Sequence, residues 1–202
     1  MTHFLDLVHP RAGTALISEW LTGTAERARA AVDAMIDEWA AAAEPPSALL
    51  AQHVFLSTDG TGLLHYAQWT SDEEHLAWAR VRRPAVVGRV DALVPGIERP
   101  GLNRTRLHRS VVHDAEHRPG VFVVTATAAG EAEDIVRAAP GLLAGHLHLT
   151  ADGARAIVVT EWTDAAAHEA AAGDRPAFKR YTLHHSFHDG RTEGAAGGPE
   201  RS

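Results

Sequence analysis

The stretch that decides the fold is LLAQHVFLSTDG at residues 49–60, because it returns as LLAGHLHLTADG at residues 142–153. The offset is 93 residues, and it continues without a gap for 29 positions, of which 11 are identical. The identical positions include one tryptophan and a later histidine in each copy: Trp69 with Trp162, and His75 with His168. Self-similarity at one fixed offset indicates a duplicated structural unit.

Each copy has the same predicted order of strands and helices. Strands are expected where β-branched and apolar runs end at turn residues, and helices where apolar residues recur at helical spacing. For the first copy we predict strands at 15–21, 49–57, 63–70 and 104–113, with helices at 28–39 and 72–90 and a break near Pro84. For the second we predict strands at 121–127, 142–149, 156–162 and 178–188, with helices at 131–138 and 165–171. The order βαββαβ is the ferredoxin-like motif.

The predicted fold class is α+β, with two tandem ferredoxin-like repeats. One ferredoxin-like sheet has helices on one face only, so its other face must be buried. We therefore expect the two repeats, at residues 1–115 and 116–189, to close face to face into a pseudo-dimeric α+β barrel. The motif LHRSV at 107–111 resembles LHHSF at 183–187 at an offset of 76, so the second copy lacks about 17 residues (93 minus 76) before its last strand. Residues 190–202 are polar and glycine-rich, and we predict a disordered tail.

Composition excludes several classes of protein. The chain has 202 residues, no cysteine and a net charge of -7 at pH 7, which excludes disulfide scaffolds and thiolate chemistry and argues against nucleic acid as a partner. No apolar run approaches the ~20 residues of a membrane span, so we expect no membrane partner. The N-terminus lacks a basic region followed by an apolar core, which favours a cytoplasmic location. The 14 histidines are the groups that titrate near neutral pH.

The motifs STDGT at 57–61 and YAQW at 66–69 resemble the antibiotic biosynthesis monooxygenase family, and within it the small anthrone oxygenases of aromatic polyketide pathways. Glu38-Trp39 and Arg89 fit the same resemblance, which covers most of residues 13–112 and, more weakly, 119–188. It implies a dimeric α+β barrel fold and an oxygenase that uses molecular oxygen as co-substrate, without flavin, haem or metal.

The resemblance also implies site residues. In the first copy Trp69 and Arg89 match the family, while His65, His75 and Phe55 stand where the anthrone oxygenases have Asn, Tyr and His. In the second copy Trp162 matches, His148 occupies the family's His position, and His168 occupies its Tyr position. The family's Arg falls in the segment that the second copy lacks, so the second repeat is expected to be the degenerate one. Predicted substrate contacts are Trp69, Phe55, Trp39 and Tyr66.

The chemistry suggested by these residues is proton removal inside an apolar pocket. His65 and Trp69 lie four apart on a predicted strand and therefore share a face, with Tyr66 on the other. Burial would keep His65 neutral and able to accept a phenolic proton, and Arg89 would stabilise a substrate oxyanion. His75 is the competing base. The alternatives are that both histidines are structural and that Arg89 is a solvated helix residue.

Pairs of histidines near residues 146–148 and 184–188 could bind a metal, but no third carboxylate ligand is evident at a suitable spacing, and no metal site is predicted. The leading hypothesis is a cofactor-independent monooxygenase that oxygenates an aromatic phenolic polycycle to a quinone. A polyketide cyclase on the same fold and a non-catalytic, ligand-binding or partner-stabilising member remain as alternatives, with haem degradation a weaker one. Both a monomer and a homodimer remain open.

Overall fold

A computed structural model describes residues 7–41, 46–173, 178–188 and, for the backbone alone, 191–194. Within these residues the strands are β1 (Thr14–Leu21), β2 (Leu49–Ser57), β3 (Gly62–Trp69), β4 (Glu98–Val112), β5 (Val121–Ala128), β6 (Leu142–Thr150), β7 (Arg155–Trp162), β8 (Arg180–His188) and β9 (Arg191–Gly194). The helices are α1 (Ala25–Ala41), α2 (Asp72–Val81), α3 (Arg83–Leu93), α4 (Ala132–Ile135) and α5 (Ala165–Ala172). None of these helices is both long and apolar enough to cross a membrane.

Eight antiparallel strands form a closed ring of hydrogen-bonded neighbours. The strand order is β2-β3-β1-β4-β6-β7-β5-β8, and β8 pairs back with β2. Each repeat contributes four consecutive strands in the ferredoxin-like order, second-third-first-fourth. The fourth strand of each repeat pairs with the second strand of the other, as β4 with β6 and β8 with β2. The predicted α+β fold of two tandem ferredoxin-like repeats is confirmed.

The structure differs from the sequence prediction most at the start of β4 and in the tail, and α4 is also shorter than predicted, at Ala132–Ile135 instead of 131–138. The fourth strand begins at Glu98, six residues before the predicted 104, and so continues the sheet across the cavity described below. The tail was predicted to be disordered over 190–202, but Arg191–Gly194 forms β9 on β8, so the prediction is wrong for these four residues. Residues 190 and 195–202 lie outside the described part of the chain. The predicted helix break near Pro84 is confirmed, because α2 ends at Val81 and α3 begins at Arg83.

The duplicated Asp-Gly pairs make equivalent hairpin turns. Gly60 has a φ of 73° and Gly153 a φ of 68°, a conformation that side chains with a Cβ rarely adopt. The preceding aspartates complete each turn through Oδ1. Asp59 accepts from the backbone N–H of Thr61 at 2.9 Å, and Asp152 accepts from that of Ala154 at 3.1 Å. Local turn chemistry therefore fixes the register of both hairpins.

A second pair of glycines binds the ends of β3 and β7, the strands that end in Trp69 and Trp162. Gly13 donates its backbone N–H to the carbonyl oxygen of Trp69, and Gly120 donates to that of Trp162, both at 2.9 Å. A Cβ on Gly13 or Gly120 would lie about 2.1–2.2 Å from the next backbone carbonyl, so no other residue fits without movement. These glycines are 107 residues apart, which exceeds the hairpin offset of 93 by 14. The second repeat is therefore also shorter between its first and second strands.

The helix layer of the second repeat is thin, as the missing residues predict. Its helices α4 and α5 have 4 and 8 residues, against 17, 10 and 11 in the first repeat, and α3 has no counterpart. Val136, at the end of α4, lies directly on the sheet, where a Cβ on Gly145 would come within 2.3 Å of it. Val136 also packs with Val158, the counterpart of His65. This part of the second repeat is filled by side chains.

The inner faces of the two sheets form one core inside the ring. Its members come from both repeats and include Ile17, Phe55, Phe122 and Val159. One polar contact crosses this core, where the Tyr66 hydroxyl donates to Nε2 of His148 at 2.8 Å. Nδ1 of His148 lies near the carbonyl oxygens of His146 and Ile157, which can only accept, so this nitrogen carries the proton. Both ring nitrogens of the buried, neutral His148 are therefore hydrogen-bonded.

Burial lowers the pKa of His148 to about 4, and this predicts acid sensitivity. The unfolded chain protonates its histidines below about pH 6.5, whereas the folded state keeps His148 neutral. The unfolded state therefore binds more protons between pH 6.5 and 4, and the free energy of unfolding should fall as the pH is lowered through that window. His148→Gln should reduce this slope, by up to about 1.4 kcal/mol per pH unit, in urea unfolding at pH 7, 6 and 5.

His108→Gln is the matched control, because His108 is an exposed histidine on β4. It should leave the slope unchanged. A His148→Gln slope equal to that of the unmodified protein would contradict the prediction.

Candidate active site

A cavity of about 220 Å³ lies in the first repeat, between the outer face of its sheet and helices α1, α2 and α3. The alternation of β3 directs His65, Ala67 and Trp69 into it. The roof consists of residues from all three helices, among them Trp39 of α1 and Trp78 of α2. The segment 71–97, which the second repeat has largely lost, supplies most of this roof. The predicted asymmetry between the two repeats is thus present in the helix layer.

Tryptophans form the walls of the cavity. Trp39 and Trp78 stack with ring centroids 5.7 Å apart and an angle of 13°, and Trp78 also contacts Trp69 at 5.4 Å. Trp20 contacts both His65, at 4.4 Å between ring centroids, and the guanidinium of Arg99, whose Cζ is 4.1 Å from the ring centroid. Flat aromatic walls of this kind favour a flat aromatic ligand.

His65 is a neutral imidazole in this cavity. Burial, followed by the positive charges of Arg99 and Arg83, lowers its pKa to about 3. Its Nδ1 lies 3.5 Å from Nε2 of Gln52, and its Nε2 is buried with no hydrogen-bond partner among the described residues. The Gln52 NH2 faces Nδ1, an orientation that makes Nδ1 the acceptor and places the proton on Nε2; a half-turn of the amide presents its oxygen instead, so both neutral tautomers of His65 are available. In one of them Nε2 is an unprotonated acceptor.

His75 has a different partner and therefore only one neutral tautomer. Nη2 of Arg104 lies 2.9 Å from Nδ1 of His75, and a guanidinium can only donate. Nδ1 must accept, so the proton of the neutral ring sits on Nε2. Burial, and then the charges of Arg104 and Arg83, lowers the pKa of His75 to about 4, with Asp72 opposing. His75 is thus built as a hydrogen-bond donor.

The Trp–His–Arg arrangement occurs twice. His75 meets Trp69 edge-on at 5.1 Å and 75°, and His168 meets Trp162 at 5.1 Å and 76°. Arg180, which is 76 residues after Arg104, donates through Nε to Nδ1 of His168 at 3.1 Å. The repeat that lacks the α3 roof keeps this unit, so the unit has a structural role in joining helix to sheet in both halves. In the first repeat His75 and Trp69 also line the cavity, so there the unit can contact a ligand as well.

Arg89 does not take the predicted place. Its side chain is 55% exposed, forms an ion pair with Glu38 of α1 and does not line the cavity. The arginines that do line it are Arg83, at the start of the same helix, and Arg99, in the early part of β4. The sequence predicts the helix that carries Arg89, but it does not predict the direction of each side chain after the break near Pro84.

Three other predicted residues face the inside of the ring. Phe55 contacts Phe122 at 4.9 Å, and Tyr66 and His148 bond to each other, so none of the three lines this cavity. The period of two along β3 already places Tyr66 opposite His65. The predicted contacts Trp69 and Trp39, and both His65 and His75, do line the cavity.

Sequence reasoning missed Trp20, Gln52, Arg99 and Arg104. Trp20 could have been found by alternation along β1, because it faces the helices with Leu16 and Ser18. Arg104 could have been found from the offset of 76, which pairs it with Arg180. Arg99 gave no signal, since it precedes the predicted start of its strand. In the described part of the chain, no group of three or more His, Asp or Glu residues is arranged to hold a metal ion.

Comparisons with known proteins agree with this architecture. Residues 123–182 match the sequence model of the family "Antibiotic biosynthesis monooxygenase". The match lies in the second repeat, although the residues that suggested the family were clearest in the first. A search of curated proteins finds no match.

Solved structures show the same fold over almost the whole chain. An anthrone oxidase-like protein superposes with a TM-score of 0.65 at 19% identity, covering 91% of this chain and 96% of that one. A monooxygenase-like protein of Fusobacterium nucleatum gives 0.51 at 11% identity, covering 95% and 99%. A mutant chlorite dismutase of Candidatus Nitrospira defluvii gives 0.51 at 11% identity, covering 91% and 95%. At these identities the likeness concerns the fold.

The contact between Arg104 and His75 predicts a measurable titration. Arg104→Gln removes a positive charge and an obligate donor, so the pKa of His75 should rise from about 4 toward its ordinary 6.5. Long-range ¹H–¹⁵N spectra of histidine-labelled protein would follow the ring through pH 4–8, with His75→Phe identifying its signals. In the unmodified protein the same spectra should show the proton on Nε2.

Arg180→Gln is the matched control in the second repeat. It removes the same contact from His168 and should leave the titration of His75 unchanged. A His75 signal with the proton on Nδ1, or one insensitive to Arg104→Gln, would contradict the assignment.

Proposed function

We propose that this chain oxygenates an aromatic phenolic polycycle to a quinone, a reaction that the match of residues 123–182 to the antibiotic biosynthesis monooxygenase model supports. The reaction would use molecular oxygen without flavin, haem or metal. The observation that carries this proposal is the cavity of the first repeat, where two neutral histidines and two arginines meet among four tryptophans. A site of this kind can bind a flat ring, remove a proton and stabilise the resulting anion.

The two histidines have different roles in this proposal. His65 is the base, because its contact with Gln52 allows a tautomer with an unprotonated Nε2. His75 is the donor, because Arg104 fixes its proton on Nε2. A donor held toward a developing oxyanion and a nearby acceptor are the two groups that enolisation of a ring ketone requires.

The low pKa of His65 is consistent with this role once the ligand is considered. Proton transfer from the substrate forms an imidazolium and an anion together, inside a site that Arg99 and Arg83 already make positive. The new anion offsets the repulsion that these arginines exert on the imidazolium, so the pair is favoured over either charge alone.

The chemical steps balance without a further reductant. His65 takes a proton from the ring CH2 and leaves an electron-rich carbanion in conjugation with the phenolate. This anion passes one electron to dioxygen, and the resulting radical and superoxide join in a C–O bond. The imidazolium returns its proton to the peroxide, and loss of the second C–H proton breaks the O–O bond. The net change is CH2 + O2 → C=O + H2O.

The base assignment is tested by His65→Phe, which keeps the aromatic packing against Trp20 and removes the acceptor. Removal of a general base typically costs ~10²–10⁴-fold in rate, so oxygen uptake with an anthrone should fall by that factor in kcat. His75→Phe should impair turnover too, since it removes the oxyanion donor. Arg89→Gln is the control and should retain turnover, because Arg89 does not line the cavity.

Two further measurements separate this proposal from the alternatives. Exhaustive chelation and flavin removal should leave oxygen uptake intact, and recovery of lost activity by metal or flavin would overturn the cofactor-free reaction. Product formation under strict anaerobiosis would indicate the cyclase instead, since ring closure by an aldol base needs no dioxygen. A folded His65→Phe protein with near-normal turnover would remove His65 from the role of base.

A further inference from the structure

The cavity is positive although the chain is acidic. The net charge of the protein is -7, yet no Asp or Glu is among the residues that line the cavity, whereas Arg83 and Arg99 both are. Its histidines are neutral at physiological pH, so they do not alter this balance. Two arginines in a cavity whose lining includes no carboxylate point to an anionic ligand.

The guanidinium of Arg99 is held by several contacts, but one of its hydrogen-bond donors is left without a partner among the described residues. Its Nη2 donates to Oδ1 of Asp91 at 2.7 Å, its Nη1 donates to the carbonyl oxygen of Ile97 at 3.4 Å, and its plane lies over Trp20. Its Nε is buried and has no hydrogen-bond partner among the described residues. Leaving a charged donor unsatisfied is costly, and a ligand acceptor would remove that cost.

Arg83 supplies a second and uncompensated charge. It is exposed at the start of α3 and forms no ion pair with any other described residue. Its charge acts on His65 and on His75, so it lies within electrostatic reach of both. Asp91 neutralises one of the two cations, which leaves a net charge of about +1 at the cavity.

We propose that the substrate is a planar aromatic carboxylate, whose ionised group binds Arg83 and Arg99 while its rings lie among the tryptophans. The carboxylate is singly charged and planar, which matches one uncompensated charge and a flat guanidinium. This inference rests on the proposed function for the site, and it adds a group that takes no part in the oxygenation. The carboxylate positions the ring carbon that reacts.

The test compares two ligands that differ only in charge. Anthracene-9-carboxylate and 9-anthracenemethanol have the same rings, and isothermal titration calorimetry would measure the affinity of each. The carboxylate should bind at least about tenfold more tightly, and the difference should shrink in high salt. Arg83→Gln should remove most of the preference and leave the affinity for the alcohol unchanged.

Arg80→Gln is the matched control, because Arg80 is an exposed arginine on α2 that does not line the cavity. It should keep the full preference. Equal affinity for both probes, or an Arg83→Gln protein that still prefers the carboxylate, would overturn this inference while leaving the oxygenase proposal standing. A protein that binds neither probe would contradict both.

Discussion

The pairing of each repeat with the other at both sheet edges is the constraint on which the structure depends. β4 joins β6, and β2 joins β8, so the sheet edges of one repeat are completed by the other. A single repeat would leave an apolar face and two strand edges open to water, which is unfavourable and prone to aggregation. Closure buries the inner faces and leaves the outer faces for helices. The cavity lies in the repeat whose outer face carries three helices, against two shorter ones in the other repeat.

Much of this arrangement follows from local patterns in the sequence. The two Asp-Gly turns fix the hairpins, and the offset of 93 identifies equivalent strands. Alternation along β3 then places His65 with Trp69 on one face and Tyr66 on the other. The Ser71 and Asp164 caps start the helices that carry His75 and His168, each accepting from a backbone N–H three residues on. These are short-range effects, so one sequence suffices to predict them.

The site was less predictable because its charges meet through long-range contacts. Arg99 lines the cavity and Arg104 contacts His75, both from β4, and their positions depend on where that strand begins and how it registers with β1. A pattern of apolar residues does not determine that register, because β4 is largely exposed and polar. Arg89 shows the converse problem. The helix that carries Arg89 was predicted, but the direction of the Arg89 side chain is set by its ion pair with Glu38 on α1.

Most of the roof of the cavity comes from one continuous piece of chain, which runs from the end of β3 to the start of β4 and includes α2 and α3. In the second repeat the described residues of the same gap contain a single helix, α5, so the ring tolerates large changes in this segment. Part of the surface that a ligand would contact is therefore encoded outside the strands that form the ring. Related proteins can therefore change their substrate by replacing a segment of about 28 residues (70–97), while the strands of the ring remain unchanged.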